Sequence, residues 1–103
     1  MNILVTDGEN RSSLAVTRSL GRKGHRLMVS GLTLRNISSM SRYCSARYEV
    51  ADPMENENAF IQEIENIINK TATDIIVPVA EPSIRALLRN RGILPERIRI
   101  AAP

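Results

Sequence analysis

The stretch Thr6-Asp7-Gly8-Glu9-Asn10-Arg11-Ser12-Ser13 follows the apolar run NILV and leads into a helical pattern. A glycine turn between a buried strand and a helix is where dinucleotide-binding proteins grip a pyrophosphate. First-turn amides and the helix dipole both favour an anion there. The G-x-G-x-x-G fingerprint needs three glycines: one for the turn, one for close approach of the pyrophosphate, one for helix packing. Here only Gly8 is present and Ser13 is small enough for the packing role, while Asp7 and Glu9 would repel a pyrophosphate. The acid that would hold ribose hydroxyls after the second strand is also missing. That strand ends Ser30-Gly31, and Arg35 suits only a 2′-phosphate. These residues argue against a nicotinamide dinucleotide.

Other chemistries fail sooner. One His, one Cys and singly scattered acids do not make a metal site. No G-x-x-x-x-G-K-[ST] run exists. His25 lies in RKGHRL, a helix-to-strand junction on the rim opposite the ligand side, and reads as structural. Cys44 reads as a small apolar plug. A receiver-type phosphoacceptor would want an aspartate ending the third strand and a lysine ending the fifth. The chain instead offers Val50-Ala51-Asp52 and Ala101-Ala102-Pro103.

The elements that must position any site follow from periodicity. Continuous apolar runs at 2–6 and 74–79 read as strands buried on both faces, with Pro78 at the end of the second because it cannot donate inside a ladder. RLMVS (26–30), ARYEV (46–50) and RIRIA (97–101) complete five strands. Ser13, Val16, Leu20 and Gly24 share a helical spacing over about 11–23, with Gly24 as the stop and Gly21 weakening the last turn. Phe60, Ile64, Ile67 and Ile68 define a helix over about 57–70. A third helix spans 81–91, with Pro82 in its first turn and Ile84, Leu87 and Leu88 facing inward. The Ser-rich 36–44 segment fits one or two helical turns.

This alternation predicts an α/β domain: a doubly wound, Rossmann-like three-layer fold with a mostly parallel sheet of about five strands. Ligands bind such sheets at the carboxyl ends of the strands, so the residues to weigh are 6–11, 30–31 and 79–83. The chain has 103 residues, enough for one domain, with 43% hydrophobic residues and only three aromatics. Residues 1–47 hold eight Lys/Arg against two acids, and 48–103 hold six against nine. The basic half reads as a solvated face, since single-stranded nucleic acid wants stacking rings. Neither a nucleic-acid nor a membrane partner is expected. No apolar run approaches a membrane span, no signal peptide opens the chain, and a lone cysteine forms no internal disulfide, so a cytoplasmic setting is expected.

Three segments carry a likeness to a known family: ILVTDGENRSSLAVTRSLGRKGHRLMVSG, then SRYCSARYEVADP, then DIIVPVAEPSIRALL. In this order and spacing they resemble the N-terminal, pre-ATP-grasp domain of carbamoyl-phosphate-synthase-like ATP-grasp proteins. The resemblance implies that residues 1–103 form a single pre-ATP-grasp domain, the N-terminal part of a longer ATP-dependent ligase. Such ligases phosphorylate a carboxylate and let an amine or other nucleophile attack the acyl phosphate. ATP and Mg²⁺ would belong to an ATP-grasp domain in cis, beginning about where Ile100-Ala-Ala-Pro103 ends. This chain would bind no cofactor alone, hold no catalytic residue or metal ligand, and be inactive by itself.

On the same resemblance, Thr6, Asp7, Gly8, Glu9 and Arg11 would face a cleft holding a small carboxylate or amine substrate, joined by Pro78 and Glu81. Gly8 would supply a turn conformation other residues resist. Arg11 would hold a carboxylate or acyl-phosphate oxygen, and Glu9 or Glu81 a substrate ammonium. The plainer alternatives are that Asp7 caps its helix, Arg11 pairs with Glu9, and Glu81 only charges a first turn. Two rival functions stay open: a degenerate NAD(P)-binding epimerase or reductase domain, whose ILVTGG openings look similar, and a free-standing ligand-binding or interaction domain. A homodimer is compatible with the sequence, which fixes no oligomeric state.

Overall fold

A computed structural model describes residues 1–102. Eight elements follow in order: β1 (Asn2–Val5), α1 (Arg11–Arg22), β2 (Arg26–Gly31), β3 (Cys44–Glu49), α2 (Glu57–Thr71), β4 (Ile75–Val77), α3 (Glu81–Arg89) and β5 (Arg99–Ile100). The strands form one five-stranded sheet in the order β3-β2-β1-β4-β5, and every pairing is parallel. The chain therefore has the expected Rossmann-like α/β fold, with β1 at its centre.

Strand residues alternate between two cores, which is why the runs read as continuously apolar. Leu4, Met28 and Ile76 point to one side, where they meet Phe60, Ile64, Ile67 and Ile68 of α2 and Ala86 and Leu87 of α3. Ile3, Val5 and Leu27 point to the other and pack with Val16 and Leu20 of α1. Burying each of the larger α2 side chains contributes about 1.5–3 kcal/mol, so α2 is fixed mainly by its apolar stripe. Asn56 starts that helix by accepting from the Ala59 amide at 3.0 Å, and left-handed Ala72 ends it.

Some boundaries and faces differ from expectation. The 36–44 segment forms successive turns rather than a regular helix, closed from the Met40 amide to the Asn36 carbonyl at 3.0 Å, Ser41 to Ser38 at 3.1 Å and Cys44 to Ser41 at 3.0 Å. The Asn36 side chain takes the amides of Ser38 and Ser39, diverting hydrogen bonds that a helix would need. On α3, Ala86 and Leu87 are buried while Leu88 is 55% exposed, because the inward stripe runs Ser83–Ala86–Leu87. The last strand shrinks to two residues, and the fourth to three with Pro78 just beyond it. Gly24 ends α1 at φ +90°, as its placement predicts. Gly21 has a reason the sequence hides: a Cβ there would lie 2.5 Å from the Tyr43 side chain, so the helix needs a gap for that ring.

Candidate functional site

Parallel strands bring Thr6–Arg11, Ser30–Gly31 and Val79–Ser83 to one rim, as expected. The centre of that rim is Asp7. Its Oδ2 accepts from the Ala80 amide at 2.9 Å, the Val79 amide at 3.3 Å and the Thr6 hydroxyl at 2.6 Å. Its Oδ1 accepts from the Ser83 hydroxyl at 2.7 Å. Asp7 does cap a helix, but the helix is α3 rather than the one that follows it in sequence. The carboxylate sits where α3 presents unpaired amides and a positive dipole end. Ser13 closes the arrangement from α1, its hydroxyl donating to the Thr6 and Asp7 carbonyls at 2.8 and 2.7 Å.

The turn itself corrects the reading of Gly8. Asp7, at φ 58°, takes the left-handed conformation, and Gly8 is not among the positive-φ residues. Aspartate tolerates that region better than most side chains because it bonds locally. Gly8 is required for a different reason: any Cβ there would overlap the Asn36 carboxamide. The same is true across the crevice at Gly31, where a Cβ would lie 2.5 Å from Asn36 Nδ2 and from Glu9 Oε2. Glu9 Oε2 accepts from the Thr33 amide at 3.1 Å, and Asn36 Nδ2 donates to the Thr33 carbonyl at 3.0 Å. Asn36 and Glu9 thus fill the space above the β1 and β2 ends, while the switch point, where the strand order reverses between β1 and β4, is bridged by the Asp7 bonds to Val79, Ala80 and Ser83.

The remaining expected residues divide. Thr6, Gly8 and Pro78 are buried, while Glu9, Arg11 and Glu81 are exposed. Asp7 and Glu9 line a cavity of about 210 Å³ with Asn10, Leu32, Asp52 and Pro82. Glu81 lines an adjoining one of about 330 Å³ with Pro53, Glu57, Arg85 and Arg89. Pro78 lies instead on the α1 side, in a groove of about 460 Å³ with Val16, Val77 and Ala101. Arg11 lines none of these spaces. The described residues hold two ion pairs, Arg85–Glu81 and Arg89–Glu57, both at 2.6 Å. The Arg11–Glu9 pair is therefore not formed, because Glu9 is turned toward Thr33. Glu81, expected to face a ligand, spends its charge on Arg85 one helical turn away.

Sequence reasoning missed Asn36 and the Glu57–Arg89–Asn90 cluster, and it included Ser83 in the 79–83 rim segment without giving it a partner. Arg89 grips both Glu57 oxygens, at 2.6 and 3.1 Å, and Asn90 adds a third bond at 2.9 Å. Those hydrogen bonds, Arg89 foremost, hold the Glu57 carboxyl below the usual glutamate range. Burial pushes the Cys44 thiol up, so it is a poor nucleophile, but it is only half-buried on β3 and belongs to neither core, so it is not the apolar plug expected. His25 stands beside the chain's amino group at the opposite rim, far in the fold from the Asp7 turn. No group of three or more His, Cys, Asp or Glu among the described residues is arranged to hold a metal ion. No described helix is long and apolar enough to cross a membrane.

No protein-family model matches the chain, and neither does any sequence among curated proteins. Several solved structures share its fold. Glycinamide-RNase-transformylase T from Mycobacterium tuberculosis superposes with a TM-score of 0.67 at 14% identity, covering 97% of this chain and 28% of that one. A dTDP-glucose 4,6-dehydratase from Bacillus anthracis, in complex with NAD, gives 0.63 at 19% identity over 99% of this chain and 36% of that one. A UDP-glucose 4-epimerase from Thermotoga maritima, with UDP-glucose, gives 0.57 at 23% identity over 90% and 28%. The chain thus spans about a third of the length of these proteins. At such identities the likeness establishes the Rossmann-like fold and nothing finer.

Proposed function

We propose that this chain is the N-terminal, substrate-side domain of an ATP-grasp ligase, a scaffold that completes a neighbouring nucleotide domain's pocket and does no chemistry alone. The observation that carries this reading is the filled crevice: Asn36 and Glu9 occupy the ground above Gly8 and Gly31 that a dinucleotide would need. The Asp7 carboxylate likewise takes the α3 amides that could otherwise receive a phosphate. What stays open is the cleft of about 210 Å³ lined by Asp7, Glu9 and Asp52, a fit for the amine side of a carboxylate–amine substrate pair. The motif order VTDG, SRYC and VPVAE adds independent support. ATP and Mg²⁺ would be held by the neighbouring domain. The rival reading, a degenerate NAD(P)-binding domain, has the fold of the dehydratase in its favour and the filled crevice against it.

Titration calorimetry of this chain separates the two. The expected result is no binding of NAD, NADP or Mg·ATP tighter than about 1 mM. NAD or NADP binding in the micromolar range would establish the rival, and tight binding of ATP alone would show that the domain is not a passive scaffold.

A further inference from the structure

The two edges of the sheet are unequal. The β5 edge is two residues long, begins with exposed Arg99 and follows exposed Arg97, a short, charged edge of the kind that resists pairing. The β3 edge is six residues long, contains no proline, and alternates inward and outward side chains, Cys-Ser-Ala-Arg-Tyr-Glu. Its backbone is half used. The Val50 amide donates to the Gly31 carbonyl at 2.9 Å, and Gly31 pairs with Glu49 in register. In a parallel ladder alternate residues address the neighbour. Ala46, Tyr48 and Val50 therefore face β2, and the amides and carbonyls of Arg47 and Glu49 point away from the sheet.

We propose that two copies of this chain pair antiparallel through β3, about a two-fold axis at Tyr48, to give one continuous ten-stranded sheet. Charge selects both the partner and the register. With the axis at Tyr48, Arg47 stands opposite the second copy's Glu49, and Glu49 opposite the second copy's Arg47, so two ion pairs form from residues that have none within the described chain. Moving the axis to Arg47 would set guanidinium against guanidinium, which is destabilising directly across strands. The outward-pointing groups of Arg47 and Glu49 are those that exchange hydrogen bonds in the favoured register. Tyr48 would meet its own copy at the close, non-hydrogen-bonded pair. A groove of about 200 Å³ lies beside it, lined by Tyr48, Glu49, Glu63, Asn66, Ile67 and Lys70, and gives the second ring room against Ile67. The strand thus carries a self-complementary code, and the occupant it fits is itself.

Sedimentation of this chain from about 1 µM to about 500 µM tests the pairing, since a strand-sized interface belongs in the micromolar range. The mass is expected to rise from 11.5 kDa toward twice that value. Arg47→Glu and Glu49→Arg are each expected to weaken dimerisation at least about tenfold, a loss of about 1.4 kcal/mol, without altering the far-ultraviolet circular dichroism. Mixing the two variants is expected to restore a dimer, because each then offers the charges the other lacks. A chain that stays monomeric throughout, single variants that dimerise as well as the parent, or a mixture that stays monomeric would each overturn the proposal.

Discussion

At the scale of single residues, the rim is built around one carboxylate doing a ligand's work. Asp7 accepts four hydrogen bonds, two of them from amides at the start of α3, while sitting in a left-handed conformation. Asp7→Ala removes the acceptor and places a Cβ-bearing residue with no local bond at φ 58°, so a loss of about 2–3 kcal/mol is expected in urea unfolding. Asp7→Asn keeps an acceptor and the conformational tolerance, and should cost about 1 kcal/mol. Equal losses for the two would remove the conformational part of this account. The importance of position 7 was legible in the sequence, because a carboxylate beside a turn glycine is conspicuous. Its partner was not, because Ser83 is 76 residues away and only the sheet order brings the two turns together. Gly8 was legible as necessary but for the wrong reason: single residues announce a tight fit, not which neighbour makes it tight.

At the scale of elements, two helices carry features that propensity alone misjudges. Gly21 in α1 should be improved by alanine, by about 1 kcal/mol, if only backbone entropy mattered. With the Tyr43 ring in its way, Gly21→Ala is expected to destabilise by roughly 1–3 kcal/mol instead. In a Tyr43→Gly background, which removes the Cβ as well as the ring, the sign should return to a gain relative to that background, which a pair of urea titrations would read. Helix α2 is tied to α3 by Glu57 gripping Arg89 and Asn90. Since the folded Glu57 carboxyl titrates below its unfolded value of about 4.3, its contribution is fully present above that value. It fades as pH falls through the folded value. The urea midpoint of Glu57→Gln should therefore decline less between about pH 5 and pH 3 than that of the parent. Apolar runs and the α2 stripe were readable because burial imposes a period. The 36–44 segment was not, because Asn36 and Ser39 spend their side chains on the backbone, and no period records that.

At the scale of the whole molecule, both cores hang on the same strands, Leu4 facing one and Val5 the other. The two layers are therefore expected to melt together. Two tyrosines report them separately: Tyr43 lies against α1, and Tyr48 packs on the α2 side. With 3-fluorotyrosine in both places, their fluorine resonances should disappear at the same urea concentration, and a gap between them would reveal two cooperative units. The α/β class was legible from five strand-like runs alternating with helices, since local pattern decides class. Which strands neighbour which is set by crossover packing, and no window of sequence contains it. The order that results puts β1 at the junction between everything before residue 50 and everything after it. The Asp7–Ala80 bond clasps the same seam across 73 positions of chain. A chain severed in the loop before α2 would thus yield two pieces with matching broken surfaces, and this domain has the makings of a split reporter whose halves find each other without a tether.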